Sequence, residues 1–380
     1  VIIQPEPSSR ATTIVLFGLG AMGSLVIRCL MLDHPRLRVV GAVDHAPEKV
    51  GRRLGDLYAG LDNGADVAVA RTLDECLAAL PEIPDLLLHM TESGLDVIEE
   101  QLMAPLRRGI NVVSASEAMW HPLLRFPQIS QRLDAAAKAG GVTITGCGIN
   151  PGFVYDSLPL LLSRATGAVR SIRITRTIDV TGTGPGDIEH VGYGLTLAEF
   201  EAGIAAGRIV GHMGAPESVA MLAERLDMPL DRIEEHWDTE AADFPVESGS
   251  EALGMIEPGR VIGITQYCRG FAGSREIIST RLQMYYQPER FGLVEADEIV
   301  IDGSLPIHMT IKPALASLFG AANVIVSAVQ NVVDAAPGLV NVLDLPVAGA
   351  RRAGWQAILD PAKSGRPGKV WIARQPSGRA

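Results

Sequence analysis

Three glycines, at positions 18, 20 and 23, follow directly on the β-forming run Thr13-Ile-Val-Leu-Phe, and an apolar helical pattern (Leu25, Val26, Cys29, Leu30) follows them. In a G-x-G-x-x-G run between a strand and a helix, each glycine has a mechanical job. Gly18 allows a tight turn, Gly20 lets the backbone approach a pyrophosphate, and Gly23 lets the helix pack close to the strand. The helix N-terminus offers free N–H groups and the positive end of its dipole to phosphate oxygens. A second run of β-formers, residues 37–43, ends in Asp44, an acid placed to bond the adenosine ribose hydroxyls. The spacing predicts a dinucleotide site for NAD or NADP. Gly18, Gly20, Ala21, Met22, Gly23, Asp44, Thr91 and Asn150 are the candidates to hold the cofactor.

Glu117 follows the strand-like stretch Asn111-Val-Val-Ser. That places it on the carboxyl edge of a sheet, beside the expected nicotinamide. A carboxylate partly buried against an apolar ring suits proton transfer near neutral pH. The same acid also fits the start of a helix predicted over 121–139, where the helix dipole favours it. The residues alone leave both readings open. Glu92, between Thr91 and Ser93, reads as a first-turn helix acid. The glycine-flanked Asn150-Pro151-Gly152 fits either a ligand-facing loop or a turn between domains. Arg173 and Arg176 are three apart on a strand and point to opposite faces. His212, between Gly211 and Met213, is the histidine to watch; His190, His236 and His308 read as structural. No histidine has metal-ligand spacing, so no metal is expected. Neither G-x-S-x-G nor a P-loop is present.

These residues need a scaffold. Strands read at 13–18, 37–43, 67–70, 85–89, 111–114 and 142–145, with helices at 21–33, 47–58, 72–79, 94–108 and 121–139 between them. That alternation predicts an α/β Rossmann domain with a parallel sheet over 11–150. From 151 to 319 the character changes. A short helix (153–165) and an alternating strand (172–178) precede helices at 195–206 and 215–226. Strands at 261–268, 277–286, 296–302 and 306–312 then run in series, which predicts an α+β substrate domain with a mixed or antiparallel sheet. A helix at about 320–335 follows, and residues 351–380 form an extension with Trp355 and Trp371.

Composition sets the outer bounds. A chain of 380 residues that is 47% hydrophobic can bury the cores of two domains. A net charge of −11 without clustered Lys and Arg argues against a nucleic-acid partner. Four scattered cysteines without C-x-x-C read as the thiols of a cytoplasmic protein. No apolar run is long enough for a membrane span. The polar, Pro-containing segment before Arg10 lacks the apolar stretch of a signal peptide.

Five segments together resemble a known family: Gly18-Leu-Gly-Ala-Met-Gly23, Asn111-Val-Val-Ser-Ala-Ser-Glu117, Gly148-Ile-Asn-Pro-Gly-Phe153, Gly211-His-Met-Gly-Ala-Pro-Glu-Ser218 and Ala336-Pro-Gly-Leu-Val-Asn-Val-Leu-Asp-Leu-Pro346. The chain resembles the 2,4-diaminopentanoate dehydrogenases and native amine dehydrogenases, relatives of dihydrodipicolinate reductase, over roughly residues 11 to 350. The resemblance implies a Rossmann domain plus an α+β domain, with the helix near 320–335 returning to the cofactor domain and a homodimer as the assembly. It implies interconversion of an amine with a ketone or aldehyde plus ammonia, using NAD or NADP. Glu117 matches the catalytic carboxylate. Arg176 and His212 match positions that face substrate and hold a carboxylate tail in some relatives, and the substrate is expected over Asn150 and Phe153. The chain departs from true dihydrodipicolinate reductases, having no His-His segment, and carries Thr181-Gly-Thr-Gly-Pro-Gly186 instead of their Lys…Pro-Ser-Gly-Thr loop. A reductase of another small carbonyl or imine, working without ammonia, is the alternative.

Overall fold

The structure, a computed structural model, describes residues 10–33 and 36–346. The first unit alternates strands and helices: β1 (Thr12–Phe17), α1 (Ala21–Asp33), β2 (Leu37–Val43), α2 (Leu54–Leu57), β3 (Val69–Ala70), α3 (Leu73–Ala78), β4 (Leu86–His89), α4 (Leu95–Leu106), β5 (Asn111–Ser114), α5 (Pro127–Gly140) and β6 (Thr143–Gly146). β1, β4 and β6 are buried on both faces, as parallel strands covered by helices must be. β1 and β4 accordingly carry the apolar runs Ile14–Phe17 and Leu86–Leu88, whereas β6 buries two threonines beside Ile144.

The second unit contains α6 (Ser157–Ser163), β7 (Val169–Asp179), α7 (Pro185–Val191), α8 (Leu197–Ala205), α9 (Ala215–Arg225), β8 (Arg232–Ala241), the short pair β9 (Val246–Glu247) and β10 (Met255–Ile256), β11 (Val261–Ala272), β12 (Arg275–Tyr285), β13 (Ala296–Gly303) and β14 (Ile307–Ile311). Its six-stranded sheet runs β14-β13-β7-β12-β11-β8. β7 and β12 are parallel and the other neighbours antiparallel, so the sheet is mixed. α6 and α9 help cover its inner face through residues such as Val219 and Leu222. α8 starts at a capping box: Thr196 accepts from the Glu199 N–H, and the Glu199 carboxylate accepts from the Thr196 N–H.

The chain then returns to the first unit. α10 (Ser317–Val333) lays Ala322, Ile325, Val329 and Val332 against Val26, Ile27 and Leu30 of α1 and the core of the parallel sheet. β15 (Gly338–Leu339) adds to that sheet beside β6, giving the order β15-β6-β5-β4-β1-β2-β3. Among the described residues, no helix is long and apolar enough to cross a membrane.

Several expected elements differ. The helix read over 47–58 is mostly turns around α2. The helix read over 121–139 begins only at Pro127, because proline sits comfortably only in the first turn of a helix. α7, β8 and β15 were not anticipated. β8 alternates charged and half-buried residues along an exposed edge, so no apolar face marks it. The extension at 351–380 lies outside the described residues.

Candidate active site

The glycine loop has the geometry its spacing predicts. Gly18 has φ +96°, and a Cβ there would stand 2.4 Å from the Met90 carbonyl oxygen. A Cβ on Gly23 would stand 2.1 Å from the Gly18 oxygen. A Cβ on Gly20 would meet no protein atom within 4 Å. The loop is therefore tightly packed from behind and open above Gly20, where a pyrophosphate needs room at the start of α1. Thr91 stands beside the loop, its hydroxyl bonded to Gln101 and His89. His89 is buried, and burial pushes its imidazole down to about 4 despite the Gln101 contact, so the ring is a neutral structural link.

Asp44 ends β2 and is turned inward. Its carboxylate accepts from the Leu19 N–H at 2.8 Å, from the Ala46 N–H at 2.8 Å and from Lys49 Nζ at 3.2 Å. Burial raises its pKa, but those donors outweigh burial and hold it below the usual carboxylate value. Asp44 thus ties the glycine loop to the tip of β2, with a lysine at its side. These features fit a dinucleotide: an open cradle at Gly20, free N–H groups at α1, and an acid and a cation at the ribose end.

A cavity lies where the carboxyl edge of the parallel sheet meets the second unit. Met22 of the glycine loop, Glu117, Trp120, Asn150, His212 and Ser317 all line it. Glu117 follows β5 and opens a three-residue 3-10 turn (Glu117–Met119). Since the long helix starts ten residues later, at Pro127, Glu117 does not cap it, and the helix-dipole reading loses its helix.

His212 faces Glu117 across the cavity, Nε2 to Oε1 3.5 Å. Two glycines deliver it. Gly211, at φ +62°, lies against Gln266 and Trp237. Gly214, at φ +95°, opens α9, and a Cβ there would stand 2.5 Å from Pro151 Cγ. The His212 segment can therefore close onto the Asn150-Pro151 loop only with glycine at 214. Asn150 is buried and its Nδ2 lies 3.3 Å from His212 Nε2.

Two expected substrate residues lie elsewhere. Arg176 is fully buried and bonded to Asp297, to the Leu315 carbonyl and to Ser317 Oγ. Its charge is committed to a carboxylate on the neighbouring strand, and the side chain does not line the cavity. Phe153 packs against the core of the second unit and does not line the cavity either. Sequence reasoning in turn missed Gln266, Trp120 and Arg125. Gln266 grips the His212 backbone from β11, accepting from its N–H at 2.9 Å and donating to its carbonyl at 2.8 Å. Trp120, three residues after Glu117, is buried with an indole N–H that has no hydrogen-bond partner among the described residues. Arg125 pairs with Glu217 across the two units and lies 3.7 Å from Glu235, whose carboxyl burial pushes up. Among the described residues, no three His, Cys, Asp or Glu side chains are grouped as metal ligands.

Comparison with known proteins places the chain in a family. The model of the 2,4-diaminopentanoate dehydrogenase C-terminal domain matches residues 153–360. The 2,4-diaminopentanoate dehydrogenase of Acetoanaerobium sticklandii is 26% identical over 335 residues, 88% of this chain and 93% of that protein. The amine dehydrogenase of Streptomyces virginiae is 29% identical over 356 residues, 88% and 96% of the two chains. The solved amine dehydrogenase of Mycobacterium smegmatis superimposes with a TM-score of 0.77 at 28% identity, covering 90% of this chain and 97% of that one. The chain belongs to the 2,4-diaminopentanoate dehydrogenase family and is an NAD(P)-dependent oxidoreductase acting on amine groups.

Proposed function

We propose that the protein catalyses the reversible reductive amination of a small ketone or aldehyde with ammonia. The observation that carries this reading is the Glu117 carboxylate in the cavity between the Met22 edge of the glycine loop and His212. When bound, the nicotinamide supplies the hydride that reduces the substrate carbon. Gly18, Gly20, Ala21, Met22 and Gly23 would hold its phosphates, Asp44 and Lys49 its adenosine ribose, and Thr91 and Asn150 its nicotinamide half.

Glu117 carries out the proton chemistry. Its carboxylate takes a proton from nitrogen once ammonia has added to the carbonyl carbon, and returns it to the carbinolamine oxygen. With one further proton, released by the ammonium that supplied the ammonia, that oxygen leaves as water, and the negative carboxylate stabilises the positive iminium. The apolar lining, including Ile149, Ala321 and Ile325, strengthens that attraction by excluding water. Among the described lining residues none is Lys or Arg, which favours a carbonyl compound without a carboxylate.

The test is NADH oxidation against a panel of ketones, aldehydes and keto acids, with and without ammonium. Ammonium-dependent turnover supports the proposal. Turnover indifferent to ammonium would instead favour a carbonyl or imine reductase. A homodimer is proposed from the family resemblance. The cytoplasm is the proposed location, in keeping with four buried, unpaired cysteine thiols.

A further inference from the structure

The imidazole of His212 has a defined tautomer. Its Nδ1 lies 2.9 Å from the Met213 carbonyl oxygen, which only accepts, so Nδ1 carries the hydrogen. In the neutral ring Nε2 is then a bare acceptor. It lies 3.3 Å from the Asn150 amide and 3.5 Å from Glu117 Oε1. The Gln266 amide holds the His212 backbone on both sides, and the Nδ1 bond to the Met213 carbonyl orients the ring. The charged groups around this histidine are few. Glu117 faces Nε2 directly. Glu235 on β8 reaches the Gln266 amide at 3.3 Å. Arg125 pairs with Glu217 on α9 and lies 3.7 Å from Glu235.

We propose that His212 and Glu117 form one proton-relay unit, in which His212 Nε2 stores the ammonium proton until water leaves. The inference rests on the amination reading. Ammonium enters the cavity and gives one proton to Nε2, leaving neutral ammonia and an imidazolium. The ammonia lone pair forms the C–N bond as the carbonyl π pair moves onto oxygen. Glu117 moves one proton from nitrogen to that oxygen, giving the neutral carbinolamine. The imidazolium proton then reaches the hydroxyl, directly or through Glu117, the C–O bond breaks and water departs. The products are an iminium, a neutral imidazole and the Glu117 carboxylate. Carbonyl plus ammonium has become iminium plus water, so atoms and charge balance without another acid. The single positive charge passes from ammonium to His212 to substrate, always beside the carboxylate. A separation of 3.5 Å is long for a direct transfer. It is within reach through one water, and such contacts tighten when a site fills.

This role differs from holding a substrate carboxylate, and His212→Gln separates the two. Gln keeps a polar side chain but cannot store a proton. The relay predicts an ammonium-dependent kcat about 10²-fold lower, with the carbonyl KM and NADH affinity nearly unchanged. It also predicts that the acid side of the pH–rate profile loses the part set by His212 and keeps the part set by Glu117. A carboxylate anchor predicts a raised KM confined to keto acids and an unaltered pH profile, and that result would overturn the relay. Residues acting as one unit are non-additive, so Glu117→Gln/His212→Gln should be within about threefold of Glu117→Gln alone; multiplied losses would also overturn it. If His212→Gln does not fold, His212→Ala with added imidazole replaces it: the Gln266 grip is on backbone atoms and survives, and imidazole should restore turnover. Failure of imidazole to do so would count against the relay. A wild-type enzyme without ammonium-dependent turnover would overturn the amination reading and the relay together, whereas an ammonium-dependent wild type with an unimpaired Gln variant overturns the relay alone.

Discussion

At the scale of single residues, the site is governed by which charges are already paired. Asp44 is an acid expected to repel a 2′-phosphate and so favour NAD. Lys49, beside it, offsets that charge. Replacing Lys49 with Ala should therefore strengthen the preference for NADH. A hydrogen bond to a charged group is worth about 1.5–3 kcal/mol, so the NADH to NADPH ratio of kcat/KM should rise about tenfold or more in steady-state assays. A fall in that ratio would show that Lys49 serves NAD instead. Arg176 is the converse case. The family resemblance marks it as a substrate-facing cation, but Asp297 holds it in the interior. Asp297→Ala would strand a buried guanidinium and should cost about 3–5 kcal/mol in a denaturant melt. With Arg176 so committed, keto acids should gain no kcat/KM advantage over neutral ketones of equal length.

At the scale of elements, the loop between β6 and α6 is held by one buried carboxylate. Asp156 accepts from the Gly152 N–H at 3.0 Å, the Ser157 N–H and Ser218 Oγ at 2.8 Å, tying the Asn150 loop to α9. Burial dominates and raises its pKa from 3.8 to about 6, although the donors pull it down. The folded protein therefore binds a proton at Asp156 that the unfolded chain has released, between pH of about 4 and about 6. Stability from this group rises as pH falls through that window and is absent above it. His89 acts in the opposite sense, since its folded pKa is depressed and acid therefore favours unfolding there. The comparison must accordingly be between wild type and Asp156→Asn. The variant should lack the part of the Tm gain on acidification that Asp156 supplies; identical Tm-against-pH curves would contradict this account. The elements themselves were legible unevenly. The glycine turn, β1, β2 and α1 declared themselves because their constraints are local: φ, a buried strand, a helix start. β8 did not, because its alternation along a charged edge shows no apolar face, and α2 is a single turn inside the longer helix expected over 47–58. Pro127 marked the true start of α5, but the apolar pattern before it suggested an earlier one.

At the scale of the molecule, the site exists because two units meet. Glu117 comes from the parallel sheet and His212 from the segment before α9. Ser317 comes from the helix that returns to the parallel sheet. Their types and flanking glycines were visible in the sequence, but their mutual distance was not, since it depends on contacts such as Gly214 against Pro151. The Arg125–Glu217 pair and the contact of Arg225 with Asp344 join α9 to the first unit and so hold the two halves of the site together. The central claim is that Glu117 moves protons in this shared cavity. Glu117→Gln keeps the shape and much of the hydrogen bonding but removes the basicity and charge. Steady-state kcat for ammonium-dependent carbonyl reduction by that variant is the most direct measurement, read beside its NADH affinity and Tm. The account predicts a loss of about 10²–10⁴-fold in kcat, with affinity and Tm little changed. A variant retaining more than about a tenth of wild-type kcat would lie outside the range of general acid–base catalysis and would contradict it.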